Sequence, residues 1–316
     1  MISVNGLVKR YGSTLAVDDV SFEVRRGEVL GFLGPNGAGK TTTMRMLTGF
    51  LPPDGGTATL AGYDIGTHSL EVRRRIGYLP ESAPLYEDMG TVDYLLYAAE
   101  MRGVPASERR ARVKQTVGVC GLAPALTKNI GQLSKGYRQR VGLAQALIHQ
   151  PDILIRDEPT SGLDPNQIVE IRSLIKEIGR EKTVILSTHI LPEVSATCDR
   201  VIIIAQGKLV GSGTPEELVS RAAGGVGVVV TLRGDGGEIE RGLAHADHAS
   251  AVDFLGAEGP TLRYRVRGKD GADPRKLAES VSGLAALRGW ALSELRTEAA
   301  TLEDVFRDLT RGEGQS

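Results

Sequence analysis

Two runs in this chain bring together the residue types that phosphate chemistry needs. The first is Gly34-Pro35-Asn36-Gly37-Ala38-Gly39-Lys40-Thr41, which fits the pattern Gly-x-x-x-x-Gly-Lys-Thr. Glycines let the backbone turn so that successive N–H groups face inward, toward phosphate oxygens. A helix leaving the loop adds the partial positive charge of its N-terminus. In such an arrangement Lys40 reaches the β- and γ-phosphates of ATP, the Thr41 hydroxyl ligates Mg²⁺, and Thr42 follows in the same first turn. The second run is Ile153-Leu-Ile-Arg-Asp157-Glu158, an apolar segment ending in two acids. Ligands gather at the carboxyl ends of strands in open α/β sheets. Asp157 there suits Mg²⁺, held directly or through water. Glu158 suits a base that accepts a proton from the attacking water, or that orients it. A solvated acidic turn would have the same local sequence, and the glycine-rich loop upstream weighs against it.

These runs need elements to hold them. Val29–Leu33, Ile153–Ile155, Val184–Leu186 and Val201–Ile204 are nearly continuous apolar runs, the pattern of strands buried on both faces of a mostly parallel sheet. Helical patterns cover Lys40–Thr48, Thr91–Met101, Ser107–Val119, Lys135–His149 and Asn166–Gly179. The alternation predicts an α/β domain. Ile2–Val8 and Val17–Val24 read instead as antiparallel edge strands. A composition shift at Arg221-Ala-Ala-Gly-Gly225 predicts a linker, giving an α/β domain over 1–222 and a small α+β domain over 226–316. In the latter, strands at Val226–Leu232, Leu262–Val266 and Ala291–Leu295 and helices at Glu238–Ala244, Pro274–Val281 and Leu302–Leu309 suggest a βαββαβ-like unit with a closing helix.

With 316 residues, 41% hydrophobic and 24% charged, the chain is long enough for two ordinary cores. A formal net charge of −1 leaves no nucleic-acid footprint. Cys120 and Cys198 are too far apart in sequence to form a metal-ligand pair and fit a reduced compartment as small packed side chains. The start has no basic region ahead of an apolar stretch, so no secretory signal is expected. No apolar run reaches the ~18 residues of a spanning helix. Work at a membrane would therefore require a second, spanning chain. His245, Asp247 and His248 have poor spacing for a metal and read as solvated.

Between the two chemical runs lies Leu133-Ser134-Lys135-Gly136-Tyr137-Arg138-Gln139-Arg140. With Gly77-Tyr-Leu-Pro-Glu81 before it, and Asp157-Glu158, Ser161-Gly-Leu-Asp164 and Ser187-Thr-His189 after it, the ordered set resembles the ATPase subunit of ABC transporters over about residues 2–220. The signature form and Glu81 are most similar to ABC-2 type exporter ATPases, near the gliding-motility and multidrug-export branches. The resemblance implies a P-loop NTPase fold of ABC ATPase type, with an N-terminal antiparallel β subdomain and a helical signature subdomain. It implies a homodimer that sandwiches two ATPs head to tail, with Ser134 and Gly136 facing the partner's nucleotide and Asp164 linking the two subunits beside it. Ser134 also reads as a helix N-cap, and Asp164-Pro165 as a helix start. Tyr11 would stack on adenine. His189 would contact the γ-phosphate and help hold the catalytic water. The partner implied is an integral membrane permease, met at the cytoplasmic face of the cell membrane, with Leu85, Tyr86 and Met89 as candidate docking residues. The C-terminal domain would serve dimerisation or regulation.

Two positions depart from the usual family pattern. Glu81 stands where most members have glutamine, and would give Mg²⁺ a charged ligand. Arg156 stands in a strand that should be buried on both faces. Strand alternation predicts that it points away from Asp157 and pairs with an acid on a neighbouring element. Two rival functions remain at this stage. A soluble ABC-type ATPase acting on a non-membrane partner would usually carry two cassettes or coiled-coil insertions. A non-hydrolysing switch would be expected to lack one of Lys40, Glu158 and His189.

Overall fold

The structure is a computed structural model, and it describes residues 1–159, 162–222, 227–269, 272–298 and 301–311. Ser161 and residues 223–225 of the expected linker lie outside the described residues. The chain forms two compact units, Met1–Pro215 and Glu216–Ser316. The division falls ahead of the expected linker, within the helix Pro215–Ala222.

The first unit is built on two sheets. An antiparallel sheet, ordered β2-β1-β4-β5, comprises β1 (Ile2–Tyr11), β2 (Thr14–Val24), β4 (Gly55–Leu60) and β5 (Tyr63–Asp64). A six-stranded sheet, ordered β10-β9-β3-β8-β7-β6, comprises β3 (Val29–Leu33), β6 (Ile76–Leu79), β7 (Ile153–Asp157), β8 (Thr183–Thr188), β9 (Arg200–Ala205) and β10 (Lys208–Gly213). All its pairs are parallel except β9–β10. The helices of this unit are α1 (Lys40–Leu47), α2 (Ser69–Arg75), α3 (Thr91–Met101), α4 (Ala106–Val119), α5 (Lys135–Leu147), α6 (Pro165–Gly179) and α7 (Leu191–Thr197).

Every residue of β3, β7 and β8 is buried, as a strand covered on both faces requires. Alternation then divides β7 between two cores. Leu154 packs into a cluster with residues of α3, α5 and α6, while Ile153 and Ile155 join a cluster with α1 and the antiparallel sheet. Each such aliphatic side chain contributes about 1.5–3 kcal/mol, so the sheet's position is fixed from both sides. Cys120 is buried and Cys198 half-buried; both are free thiols.

The second unit has its own core. A sheet ordered β12-β13-β11-β14 comprises β11 (Gly227–Arg233), β12 (Ala249–Glu258), β13 (Thr261–Gly268) and β14 (Ala291–Glu298). Beside α8 (Pro215–Ala222), its helices are α9 (Gly236–Ala244), α10 (Pro274–Arg288) and α11 (Leu302–Arg311). The order βαββαβ with a closing helix is present among the described residues. Val226, the expected start of the first strand, lies outside them. β12 had no expectation of its own, because its residues are mostly exposed and its alternation is weak.

Candidate active site

The register of the parallel sheet brings the chemical residues to one edge. Leu33 of β3 is level with Thr188 of β8, Ser187 of β8 with Asp157 of β7, and Arg156 of β7 with Leu79 of β6. The residues that follow these strand ends include Gly34, His189, Glu158 and Glu81. Gly34 N–H donates to Thr188 O at 3.3 Å, and Glu158 N–H donates to Ser187 O at 2.9 Å, so the loops after β3 and β7 are each tied to the end of β8.

The glycine-rich loop turns into α1 at Gly39, which has φ 104°, a conformation that L side chains avoid. A Cβ there would lie 2.4 Å from the carbonyl oxygen of Ala16, so the β1–β2 hairpin closes on the loop. Tyr11, paired with Thr14 at the tip of that hairpin, is 48% exposed and available as a flat platform. Pro35, Asn36 and Gly37 are exposed, Ala38 and Lys40 are buried, and Thr41 and Thr42 are half-buried. The N-terminus of α1 has no side-chain cap, which leaves its first N–H groups free to meet an anion.

Lys40 Nζ donates to Gly34 O at 2.8 Å and Pro35 O at 3.2 Å, and lies 3.6 Å from Glu158 Oε1. The other Glu158 oxygen meets His189 Nδ1 at 2.9 Å. Glu158 is a non-glycine residue at φ 45°, a sparsely populated conformation of the kind held at functional sites. The Asp157 carboxylate, 2% exposed, accepts a hydrogen bond from the Ser187 hydroxyl. His189 is braced from its neighbour. The Thr188 hydroxyl donates to Glu193 Oε2 at 3.0 Å and accepts from Ile190 N–H at 3.1 Å. Lys40, Glu158 and His189 thus form one chain of contacts, with Asp157 beside them.

An ATP–Mg²⁺ complex fits these residues. The loop supplies a cation and free N–H groups, and α1 packs against β7, which ends in the oxygen donor Asp157. Thr41 and Asp157 carry oxygen donors of the hard kind that suits Mg²⁺. Among the described residues, no group of three or more His, Cys, Asp or Glu side chains could hold a metal ion by itself. Glu81 is exposed, and its main-chain carbonyl accepts from Gln139 Nε2 at 3.3 Å.

The structure places the signature residues at helix starts. Ser134 is the N-cap of α5 and accepts from Tyr137 N–H at 3.4 Å; Asp164 is the N-cap of α6 and accepts from Gln167 N–H at 2.9 Å. Both are exposed, and the side-chain bond of each stays within its own helix. Gly136 has a packing role as well, since a Cβ there would lie 2.8 Å from Gln167 of α6. Of the three docking candidates, Leu85 and Met89 are half-buried against the core and Tyr86 is 55% exposed. Its ring lies 6.0 Å from that of Tyr94 and 5.8 Å from that of Tyr97, beside a groove of about 400 Å³ that Met101 and Arg102 also line. Tyr97 and Met101 escaped the sequence reading because an amphipathic helix gives no sign of which apolar residue is left exposed. His245, Asp247 and His248 are exposed, with His245 Nδ1 on Arg241 O at 2.7 Å.

Arg156 corrects one expectation. Its side chain does project to the α5 side, opposite to Asp157, but the expected acid partner is missing. Its Nη2 donates to Gln139 Oε1 at 3.0 Å and to Pro159 O, and it makes no ion pair among the described residues. Burial pushes its pKa down to about 10, opposed by the attraction of Glu193. A glutamine amide and a main-chain carbonyl satisfy part of the guanidinium by hydrogen bonds.

Fold and site together define a P-loop ATPase with the signature helix of one large class. The model of the ABC transporter family matches residues 17–161. The Nod factor export ATP-binding protein I of Ralstonia nicotianae is 36% identical over 315 residues, covering 98% of this chain and 94% of that protein. The linearmycin resistance ATP-binding protein LnrL of Bacillus subtilis is 32% identical over 316 residues, covering 98% of each. A solved ATP-binding subunit of an ABC transporter superposes with a TM-score of 0.63 at 31% identity, covering 70% of this chain and 92% of that one. The chain belongs to the family of ABC transporter ATP-binding subunits, and it is an ATPase of that family. No helix among the described residues is long and apolar enough to cross a membrane.

Proposed function

We propose that this subunit hydrolyses ATP to power export through a separate membrane-spanning permease, docked at the cytoplasmic face of the membrane. The observation that carries the catalytic part is the contact chain Lys40–Glu158–His189 at the carboxyl edge of the parallel sheet. The export part is supported by two relatives that span nearly the whole chain, one named for export and one for resistance to linearmycin.

In this reading Tyr11 stacks on adenine, and residues Gly34 to Thr42 hold the phosphates. Lys40 stays on the β- and γ-oxygens through the reaction. Glu158 orients the attacking water and takes its proton as the new P–O bond forms and the bond to ADP breaks. His189 fixes one Glu158 oxygen, leaving the other toward Lys40, and lies close enough to steady the same water. Thr41, Asp157 and Glu81 hold Mg²⁺, which when bound neutralises charge on the phosphate oxygens. Ser134 and Gly136 meet the ATP held by a second copy and Asp164 links the two subunits beside it, so two chains enclose two nucleotides head to tail. The exposed N-terminus of α5 supports this, as a helix start attracts phosphate. Tyr86, Tyr97 and Met101 form the surface for a permease segment. The unit from Glu216 on serves dimerisation or regulation.

Glu158→Gln keeps the size and the hydrogen-bonding capacity of the side chain and removes the base. Steady-state phosphate release from the full chain should fall at least about a hundredfold while ATP is still bound. Equal rates in the two proteins would remove Glu158 from its role. Co-purification with a polytopic membrane protein from detergent-solubilised membranes tests the permease.

A further inference from the structure

The buried Arg156 has no part in the mechanism above, yet its contacts surround the site. It is wholly buried, inside β7, directly before Asp157 and Glu158. One nitrogen, Nη2, serves both the Pro159 carbonyl and Gln139 Oε1. Gln139 is itself buried, and its amide nitrogen donates onward to the Glu81 carbonyl at 3.3 Å. A single guanidinium thus joins the loop that carries Glu158, the helix that starts at Ser134, and the loop that carries Glu81.

The local geometry explains the value of such a tie. Glu158 has a left-handed backbone, which neighbouring structure must hold in place. Its own N–H is anchored on Ser187 O, and the carbonyl of the next residue, Pro159, is anchored by Arg156. The Glu158 unit is clamped on both sides, so that His189 and Lys40 can set the carboxylate. An aliphatic residue at 156, of the kind at 153–155, would leave the Pro159 carbonyl and the Gln139 amide oxygen without this donor. The two N–H donors of Nη2 serve one acceptor each. Among the described residues, the Nε and Nη1 groups make no hydrogen bond, nor does Oε1 of Glu193 on α7. Glu193 acts on Arg156 through space and takes the Thr188 hydroxyl bond beside His189.

We propose that Arg156 is a positioning residue for hydrolysis: it holds Glu158 in line with the phosphate loop and couples that alignment, through Gln139, to α5 and to the Glu81 loop. This rests on the role of Glu158 given above.

The test uses the full-length chain as wild type, Arg156→Met, Gln139→Met, the double variant, Arg156→Lys and Glu158→Gln. ATP affinity is read with a fluorescent ATP analogue, kcat and KM by phosphate release, and stability by thermal midpoint. Both methionine variants should bind ATP within about threefold of wild type and lose kcat about tenfold or more. The double variant should be no slower than the slower single, because both act through one chain of contacts. Arg156→Lys should recover part of the rate. Arg156→Met removes a buried charge but orphans two acceptors, so kcat and KM are read well below its thermal midpoint. Wild-type kcat in either methionine variant, or losses that simply multiply in the double, would overturn the proposal. Should Arg156→Met fail to fold, Gln139→Met decides: wild-type kcat rejects the coupling, and a kcat loss at retained affinity upholds it. Glu158→Gln separates the two layers. If it hydrolyses ATP at the wild-type rate, the assignment of Glu158 has failed. If it is inactive while both methionine variants are normal, only the role of Arg156 has failed.

Discussion

At the residue scale, His149 brings a pH dependence into the fold apart from catalysis. Its Nε2 meets Ile76 O at 3.1 Å, and its Nδ1 is buried without a hydrogen-bond partner among the described residues. Burial, then the nearby positive charges of Arg102 and Lys182, push its pKa down to about 4. The unfolded value is near 6.5. Above pH 6.5 the ring is neutral in both states and the stability is complete. Between about 6.5 and 4 the unfolded chain takes up a proton that the folded chain refuses, so stability falls as pH falls. The loss reaches at most ~3 kcal/mol. His149→Gln should remove it. Urea unfolding at pH 7.5 and pH 4.5 should show the variant gaining on wild type by up to about that amount at the lower pH. A pH-independent difference between the two proteins would reject the assignment. Arg156 is also buried and only partly satisfied, with two hydrogen bonds from Nη2 and none from Nε or Nη1 among the described residues. Its place in the strand was legible from the sequence, because Leu154 and Arg156 share one face by alternation. Its partner was not, because Gln139 reaches it only through the packing of α5 on the sheet.

Elements were legible in proportion to how strongly their burial was patterned. β3, β7 and β8 are buried throughout, and their apolar runs are continuous. The loop residues 34–41 were readable because phosphate geometry fixes the spacing of glycine, lysine and threonine. β5, β10 and α7 are short or half-exposed, and their sequences carry no period long enough to see. The signature residues posed a different difficulty, since a serine at a helix start can cap the helix or meet a phosphate, and an aspartate can cap it or link two subunits. The two caps differ in geometry, 3.4 Å at Ser134 against 2.9 Å at Asp164. A long hydrogen bond contributes little, so Asp164→Ala should cost ~1 kcal/mol of stability and Ser134→Ala less than about half of that. If Ser134 is a ligand of the second copy's ATP, its removal should show elsewhere. In a Glu158→Gln background, ATP should shift the chain to dimer mass by light scattering, and adding Ser134→Ala should keep it monomeric. Dimers of equal amount in both proteins would leave Ser134 as a cap alone.

At the scale of the whole molecule, the partition of the cores sets what each unit can do alone. The two larger clusters draw only on residues of the first unit, and the third, from Val228 to Trp290, only on the second. Every residue proposed to touch nucleotide, from Tyr11 to His189, lies in the first unit, whose sheets close without a strand from the second. A chain ending at Ala222 loses the whole third core but none of the loop, strand ends or helix starts that form the site. It should therefore fold, and bind ATP within about threefold of the full chain, since no contact to the ligand has been removed. The proposed task of the second unit, dimerisation or regulation, predicts where a change must appear. At equal ATP, the truncated chain should self-associate more weakly in the Glu158→Gln background, or turn ATP over at a different rate in the wild-type background. Loss of ATP binding would mean that the second unit supports the site itself. Unchanged association together with unchanged turnover would show that it serves neither role, and would move the search for its function to the permease side of the complex.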